Sequence, residues 1–192
     1  MRKICLIACL GIFGWLLLSC DLFSTRSVED PLDSGSPWIY PIQVEQVFAN
    51  MMQAVSELNS VNYMRCFFEE DDPNGTFIFI PRNIAGWPVA GPWGYSEENQ
   101  TIQNLFSLSS TSSIPTLILQ EQDKLVYGNE DSVRITELYT FSIPISDANL
   151  PEQVSGRSDF YLARNSTGYW AIYRWEDLEG SPSWTDLKAA LY

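Results

Sequence analysis

No histidine occurs anywhere in the 192-residue chain. Histidine is the side chain whose ordinary pKa falls near neutral pH, so its absence removes the default general base. The histidine relay of serine hydrolases and the usual zinc ligand sets are lost with it. Cysteine is scarce too, with four residues at positions 5, 9, 20 and 66. Basic side chains number 11 against 24 acidic ones, for a net charge of −13. A surface of that sign is repelled by phosphate backbones, so nucleic acid is not an expected partner. The acidity follows no cation-binding pattern: Glu69-Glu70-Asp71-Asp72 is four carboxylates before a Pro-Asn-Gly turn, without EF-hand spacing. Neither a metal nor a cofactor is expected. Internal repeats and low-complexity tracts are also missing.

What is present begins with a leader. Met1-Arg2-Lys3 precedes an apolar run over 4–18 that is short for a membrane span, and Leu17-Leu18-Ser19-Cys20 follows. This reads as a secretory signal over 1–19 that resembles a bacterial lipobox, with cleavage before Cys20. Lipidation of Cys20, by a diacylglycerol thioether and an N-acyl chain such as palmitate, supplies more than the two-signal minimum for stable anchoring. The expected location is the bacterial cell envelope, with the domain outside the cytoplasm. The membrane is then a partner through the anchor alone. Cleavage removes Arg2 and Lys3, leaving 9 basic against 24 acidic side chains, or −15. It also leaves Cys66 as the one unmodified cysteine, so no internal disulfide is available. Cys66 sits in an apolar run and reads as a small buried hydrophobe rather than a nucleophile. Residues 20–40 are polar and turn-rich and read as a flexible tether, reaching roughly 20–25 Å on average.

A single domain over 41–192 follows. Val44, Val47, Phe48, Met51, Val55 and Leu58 recur at helical spacing and predict an amphipathic helix. Ser60 is placed to cap a second, shorter helix carrying Tyr63, Met64, Phe67 and Phe68. A turn at Asp72-Pro73-Asn74-Gly75 leads into a strand over 76–80. Five glycines and prolines between Gly86 and Gly94 forbid a long regular element there, yet Trp87 and Trp93 need apolar cover. Ser96 is placed to cap a third helix reaching about Leu108. Strands are predicted over 114–120, 133–145, 159–164 and 169–177, with turns at Asp123-Lys124, Gly128-Asn129, Asp147-Ala148-Asn149 and 165–168. Val133, Ile135, Tyr139, Phe141 and Ile143 alternate with polar residues, the spacing of a half-buried antiparallel strand, and a meander follows. A short helix over 184–191, capped by Ser183, closes the chain.

The last strand is the densest in aromatics. Its run Gly168-x-Trp170-x-Ile172-x-x-Trp175-x-Asp177, followed by Ser183-Trp184 and Leu187-Lys188, resembles the closing strand of nuclear-transport-factor-2-like (SnoaL-like) domains carried by bacterial lipoproteins. The resemblance covers most of 41–192, and the opening order helix, helix, strand agrees with it. It implies an α+β fold with helices packed in the concave face of a strongly curved antiparallel sheet, a cystatin-like cone. The resemblance also implies a cavity between that sheet and the first and third helices. In regular strand geometry Trp170 and Ile172 have opposite parity to Trp175 and Asp177. Either both faces are covered, or a bulge near Tyr173-Arg174 turns all four to one side.

In related enzymes the cavity holds an aspartate, often with histidine or tyrosine, that moves protons in isomerisation, cyclisation or dehydration. Here only carboxylate and phenol chemistry remains. Glu137, Tyr139, Arg174 and Asp177 lie on strands able to face the cavity, and Tyr63 can meet them. Trp87 and Trp93 can line or lid its mouth. As a site, these seven residues would hold a small apolar ligand, with Asp177 or Glu137 as a desolvated base. As structure, Arg174 pairs with a strand-neighbour carboxylate, Asp177 caps a turn, and the indoles plug the core. Two functions stay open. One is a membrane-anchored, non-catalytic binding or protein-interaction domain, with a homodimer through the sheet face as a further candidate partner. The alternative is a small histidine-free acid/base enzyme of the isomerase, cyclase or dehydratase type.

Overall fold

Four helices and five strands form among the residues that the computed structural model describes, which are 38–82, 87–89, 91–110, 113–128, 131–145, 147 and 149–192. The expected leader, Cys20 and the expected tether as far as Pro37 lie outside them, as do Gly86, Asn129 and Ala148. Helix α1 (Val44–Ser56) buries Val44, Val47, Phe48, Met51 and Val55 along one stripe. It ends two residues before Leu58, because Leu58 takes a left-handed φ of 53° that no helix continues. Helix α2 (Ser60–Met64) is capped by Asn59 rather than Ser60: the Asn59 side chain accepts the Asn62 N–H at 2.9 Å, and Ser60 is already helical. Phe67 and Phe68, expected on that helix, lie beyond its end and are buried.

Strand β1 (Ile78–Ile80) is shorter than expected and runs parallel to the last strand. Helix α3 (Tyr95–Leu108) starts from Gly94 instead of Ser96, with the Glu97 carboxylate accepting the Gly94 N–H at 2.9 Å. Strands β2 (Thr116–Tyr127), β3 (Ser132–Ser142), β4 (Gln153–Arg164) and β5 (Trp170–Gly180) form the antiparallel meander, and the sheet order is β1-β5-β4-β3-β2. Three of these strands outrun their sequence boundaries. The turn expected at Asp123-Lys124 does not form. A bulge at Gln122 absorbs the irregularity, Lys124 reaches back to Glu45 of α1 at 2.6 Å, and β2 continues to Tyr127. Helix α4 (Trp184–Leu191) follows Ser183, whose N–H is accepted by Asp186 at 2.8 Å.

The parity conflict in β5 is resolved by a bulge at Tyr173. Leu162 pairs with Ile172 and Phe160 pairs with Trp175, so two residues of one β4 parity face two residues of opposite β5 parity. Trp170, Ile172, Trp175 and Asp177 therefore all turn inward and are buried. A second bulge at Leu178 bends the strand again. The core lies between this concave face and the helices, and its largest buried rings include Trp93, Trp175, Tyr63, Tyr139 and Phe160.

Candidate functional site

The concave face places three polar residues in one row across neighbouring strands: Glu137 opposite Ser158, and Ser158 opposite Asp177. Tyr139 lies one inward position along β3 from Glu137. Asp177 is 3 % exposed, and its two oxygens are already engaged. Oδ1 accepts the Tyr139 hydroxyl at 2.9 Å and the Ser158 hydroxyl at 3.4 Å. Oδ2 accepts the Thr185 N–H at 2.9 Å and the Thr185 hydroxyl at 2.6 Å. The Tyr139 oxygen in turn accepts the Trp184 N–H at 3.0 Å. Asp177 and Tyr139 therefore tie the sheet to the first turn of α4, where a carboxylate meets unpaired helix N–H groups favourably. Burial first, and then the Asp177 charge, pushes the Tyr139 phenol far up, so it stays a proton donor.

This contact depends on a glycine. A side-chain carbon at Gly156 would lie 1.9 Å from the Glu179 carbonyl oxygen and 2.7 Å from the Tyr139 hydroxyl. Only a residue without one lets β4 pass between them.

A second buried group lies between helices α3 and α4. The Lys188 ammonium is ion-paired to Glu98 Oε2, with both side chains 2 % exposed. The same oxygen accepts the Trp93 indole N–H at 2.8 Å, and Oε1 accepts the Tyr63 hydroxyl at 2.9 Å. Aromatic faces surround the cation, with ring centroids of Trp175 at 4.4 Å and Phe79 at 4.6 Å from the Lys188 nitrogen. Burial lowers the Lys188 pKa and the Glu98 charge opposes that shift. Tyr63 is pushed up by burial and then by Glu98. The space that a ligand would occupy between sheet and helices is taken by this pair and by Trp93, Trp175 and Trp184.

The sequence-predicted residues thus fall into separate places. Tyr63 and Trp93 meet each other through Glu98 instead of meeting Glu137 or Asp177. Tyr139 and Asp177 do come together. Arg174 is on the convex face, ion-paired with Glu176 and over the Tyr161 ring at 5.3 Å, so it cannot join the cavity group. Arg174 and Asp177 are three residues apart in regular register, so alternation alone sends them to opposite faces. Glu137 is 4 % exposed, and its Oε2 has no hydrogen-bond partner among the described residues. Burial, together with Glu121 opposite it on β2, pushes its pKa up to about 7. Trp87 is half-buried, 5.0 Å from the Trp93 ring, and walls an outward groove of about 260 Å³ with Ile78, Ile80, Val89 and Pro92. Of the two indoles, Trp93 is a core residue, 1 % exposed, and Trp87 borders the outward groove.

Glu98 and Lys188 were missed from sequence. The signal was there, because each falls on the apolar stripe of its helix, Glu98 with Ile102 and Leu105, and Lys188 with Trp184 and Leu187. The convex sheet face mixes exposed Ile118 and Leu138 with the ion pairs Arg134–Asp123, at 2.8 Å, and Arg157–Glu179, at 3.3 Å. Among the described residues no cluster of three or more metal-ligating side chains occurs, and no helix is long and apolar enough to cross a membrane.

No family model and no curated protein matches the chain. Solved structures do. A conserved protein from Planctomyces limnophilus aligns with 70 % of this chain and 91 % of its own, at 12 % identity and a TM-score of 0.53. A candidate scytalone dehydratase from Novosphingobium aromaticivorans aligns with 69 % of this chain and 78 % of its own, at 11 % identity and a TM-score of 0.50. A nuclear transport factor 2 (NTF2-like) superfamily protein from Salmonella enterica serovar Typhimurium aligns with 70 % of this chain and 87 % of its own, at 14 % identity and a TM-score of 0.48. At such identities the likeness concerns the fold alone, an α+β arrangement of helices packed on a curved, mainly antiparallel sheet.

Proposed function

We propose that this chain is a lipid-anchored, non-catalytic binding domain of the bacterial cell envelope, built on a fold that also serves isomerases and dehydratases. One observation carries the non-catalytic reading: the two buried carboxylates that meet the helices, Asp177 and Glu98, are already engaged by neighbouring side chains. Asp177 accepts four hydrogen bonds and Glu98 three, including one from Lys188. A base that must take a proton from a substrate needs a free lone pair and a place for the substrate beside it. Asp177 has no lone pair left and Glu98 has one, and neither residue lines the Trp87 groove. The Trp87 groove is the better binding place for a small apolar group, since Trp87, Ile78, Ile80 and Val89 present apolar surface to solvent.

Anchoring rests on Leu17-Leu18-Ser19-Cys20. Cys20→Ser is expected to move the protein from the membrane fraction to the soluble fraction, with loss of acyl mass on residue 20. A membrane-bound Cys20→Ser protein contradicts the anchor. For binding, titration with n-decanol is expected to change tryptophan emission saturably in the wild type and not in Trp87→Phe. An unchanged response in Trp87→Phe removes the groove from the account.

The acid/base enzyme is the second reading, and Glu137 is the observation that favours it. A buried carboxylate with a free oxygen and a pKa of about 7 has the profile of a general base. Any turnover of an apolar ketone or alcohol that Glu137→Gln abolishes would establish that reading over the first.

A further inference from the structure

A second cleft, of about 240 Å³, lies at the end of the domain where the 38–41 segment meets the β4–β5 turn. Trp38, Tyr40, Arg65, Glu69, Asn165 and Tyr169 are in its wall. We propose that this cleft binds a neutral saccharide through stacking on Tyr40 and Tyr169, with Arg65 and Glu69 holding the hydroxyls. The proposal does not depend on the anchor or on the Trp87 groove.

The cleft is a built feature. The Asn50 side chain grips both sides of one backbone unit, accepting the Ile39 N–H at 3.2 Å and donating to the Ile39 carbonyl at 2.6 Å. The Pro41 carbonyl accepts the Trp170 N–H at 2.8 Å. These bonds fix 38–41 through its main chain and leave the Tyr40 ring free to project, while Trp38 packs partly against the core beneath Arg65. Tyr40 is 59 % exposed and contributes little to the core, yet its ring lies against Tyr169 with centroids 5.1 Å apart. The facing turn is equally fixed. Asn165 Oδ1 accepts the N–H groups of Thr167 and Tyr169, both at 3.1 Å, and Asp72 accepts the Ser166 N–H at 3.0 Å. A wall ordered before binding loses little entropy when a ligand arrives.

The chemistry narrows the ligand by elimination. A cation meets the Arg65 guanidinium in the wall, which already covers the Trp38 ring at 4.2 Å. An anion meets Glu69 and Asp72 in the wall and a net charge of −13 on the chain. A wholly apolar ligand would desolvate Arg65, Glu69 and the Asn165 amide without pairing them. What fits is a neutral molecule with a flat C–H face and a polar rim, which describes a pyranose ring. Arg65 is suited to that rim. It is exposed, its guanidinium hydrogen-bonds only Asn62, at 3.3 Å, and it has no carboxylate partner among the described residues. Stacked on Trp38, its planar fork can donate to two adjacent hydroxyls at once. The volume is below the ~300–1,000 Å³ of drug-sized pockets and suits one or two sugar rings.

The test is calorimetric titration of the full chain, in a detergent without a sugar headgroup, with N-acetylglucosamine trimer, maltotriose and cellotriose. At least one is expected to bind saturably. Tyr40→Ala and Arg65→Gln, both at exposed positions, should each weaken that binding about tenfold while the thermal midpoint holds. Trp87→Phe should leave it unchanged. The proposal is overturned if none of the three sugars binds, if binding survives both cleft variants, or if Trp87→Phe abolishes it. Competition by tetramethylammonium or inorganic phosphate at the same site would also overturn it, because the ligand would then be an ion.

Discussion

The interior around Lys188 and the cleft beside Tyr40 are made of the same materials: aromatic rings, carboxylates and a cation lying against a ring. In the interior, Glu98, Tyr63, Trp93 and Lys188 satisfy one another in a space sealed by Trp175 and Trp184. In the cleft, Arg65 lies on Trp38 with most of its donors unengaged, and Tyr40 stays exposed. An aromatic cluster with charges is therefore not a site by composition. It becomes one when its polar groups are left for a visitor, and it is a plug when they are used internally. The outer Trp87 groove sits between these extremes, because one indole, Trp93, belongs to the plug and its neighbour Trp87 faces solvent.

The largest expected effect breaks the plug. Lys188→Met leaves Glu98 buried without its cation and should cost about 3–5 kcal/mol in urea unfolding. Adding Glu98→Gln removes the orphaned charge and keeps one acceptor oxygen for the Trp93 N–H, while its amide NH2 can donate to the Tyr63 oxygen. That double variant should recover to within about 2 kcal/mol of the wild type. If it is as unstable as Lys188→Met alone, the pair is not what orders the interior.

Gly156→Ala comes next. It drives a methyl group into the Glu179 carbonyl and the Tyr139 hydroxyl, and it should cost about 2–3 kcal/mol by forcing β4 from β5. Neutral substitution would show that the sheet passes α4 less closely than the contacts describe.

Glu137 gives a smaller, pH-dependent effect. Its folded pKa of about 7 lies above the unfolded carboxylate value, so the folded state holds the proton more tightly. The contribution is complete below the unfolded pKa and is lost as pH rises through about 7. Stability should thus fall by roughly 2 kcal/mol between pH 5 and 8, and Glu137→Gln should flatten the slope. A wild-type stability that is level over that range would mean that Glu137 reaches water.

The fold was legible in sequence where periodicity carried it. The α1 stripe, the β3 alternation and the aromatic run of β5 each named the side that is buried. Boundaries failed where one side chain or a bulge decided them. Asn59 displaced Ser60 as a cap, and the Gln122 bulge carried β2 through a pair of charges that looked like a turn. The site was less legible, because strand parity fixes facing only until a bulge intervenes. The single extra residue at Tyr173 kept Asp177 inside with Trp170 and put Arg174 outside. Lys188 and Glu98 were hidden by a general expectation, since charged residues on apolar stripes are rare enough to be read as solvated.

The claim that the interior is a sealed plug, not a reaction chamber under a lid, is tested most directly by hydrogen exchange of one proton. The Trp93 indole N–H is buried and donated to Glu98 Oε2 at 2.8 Å. If the plug is permanent, this proton exchanges only by global unfolding, with a protection free energy equal to that from urea denaturation. Exchange through a local opening, well below the global value and insensitive to urea, would contradict the account and restore the lid.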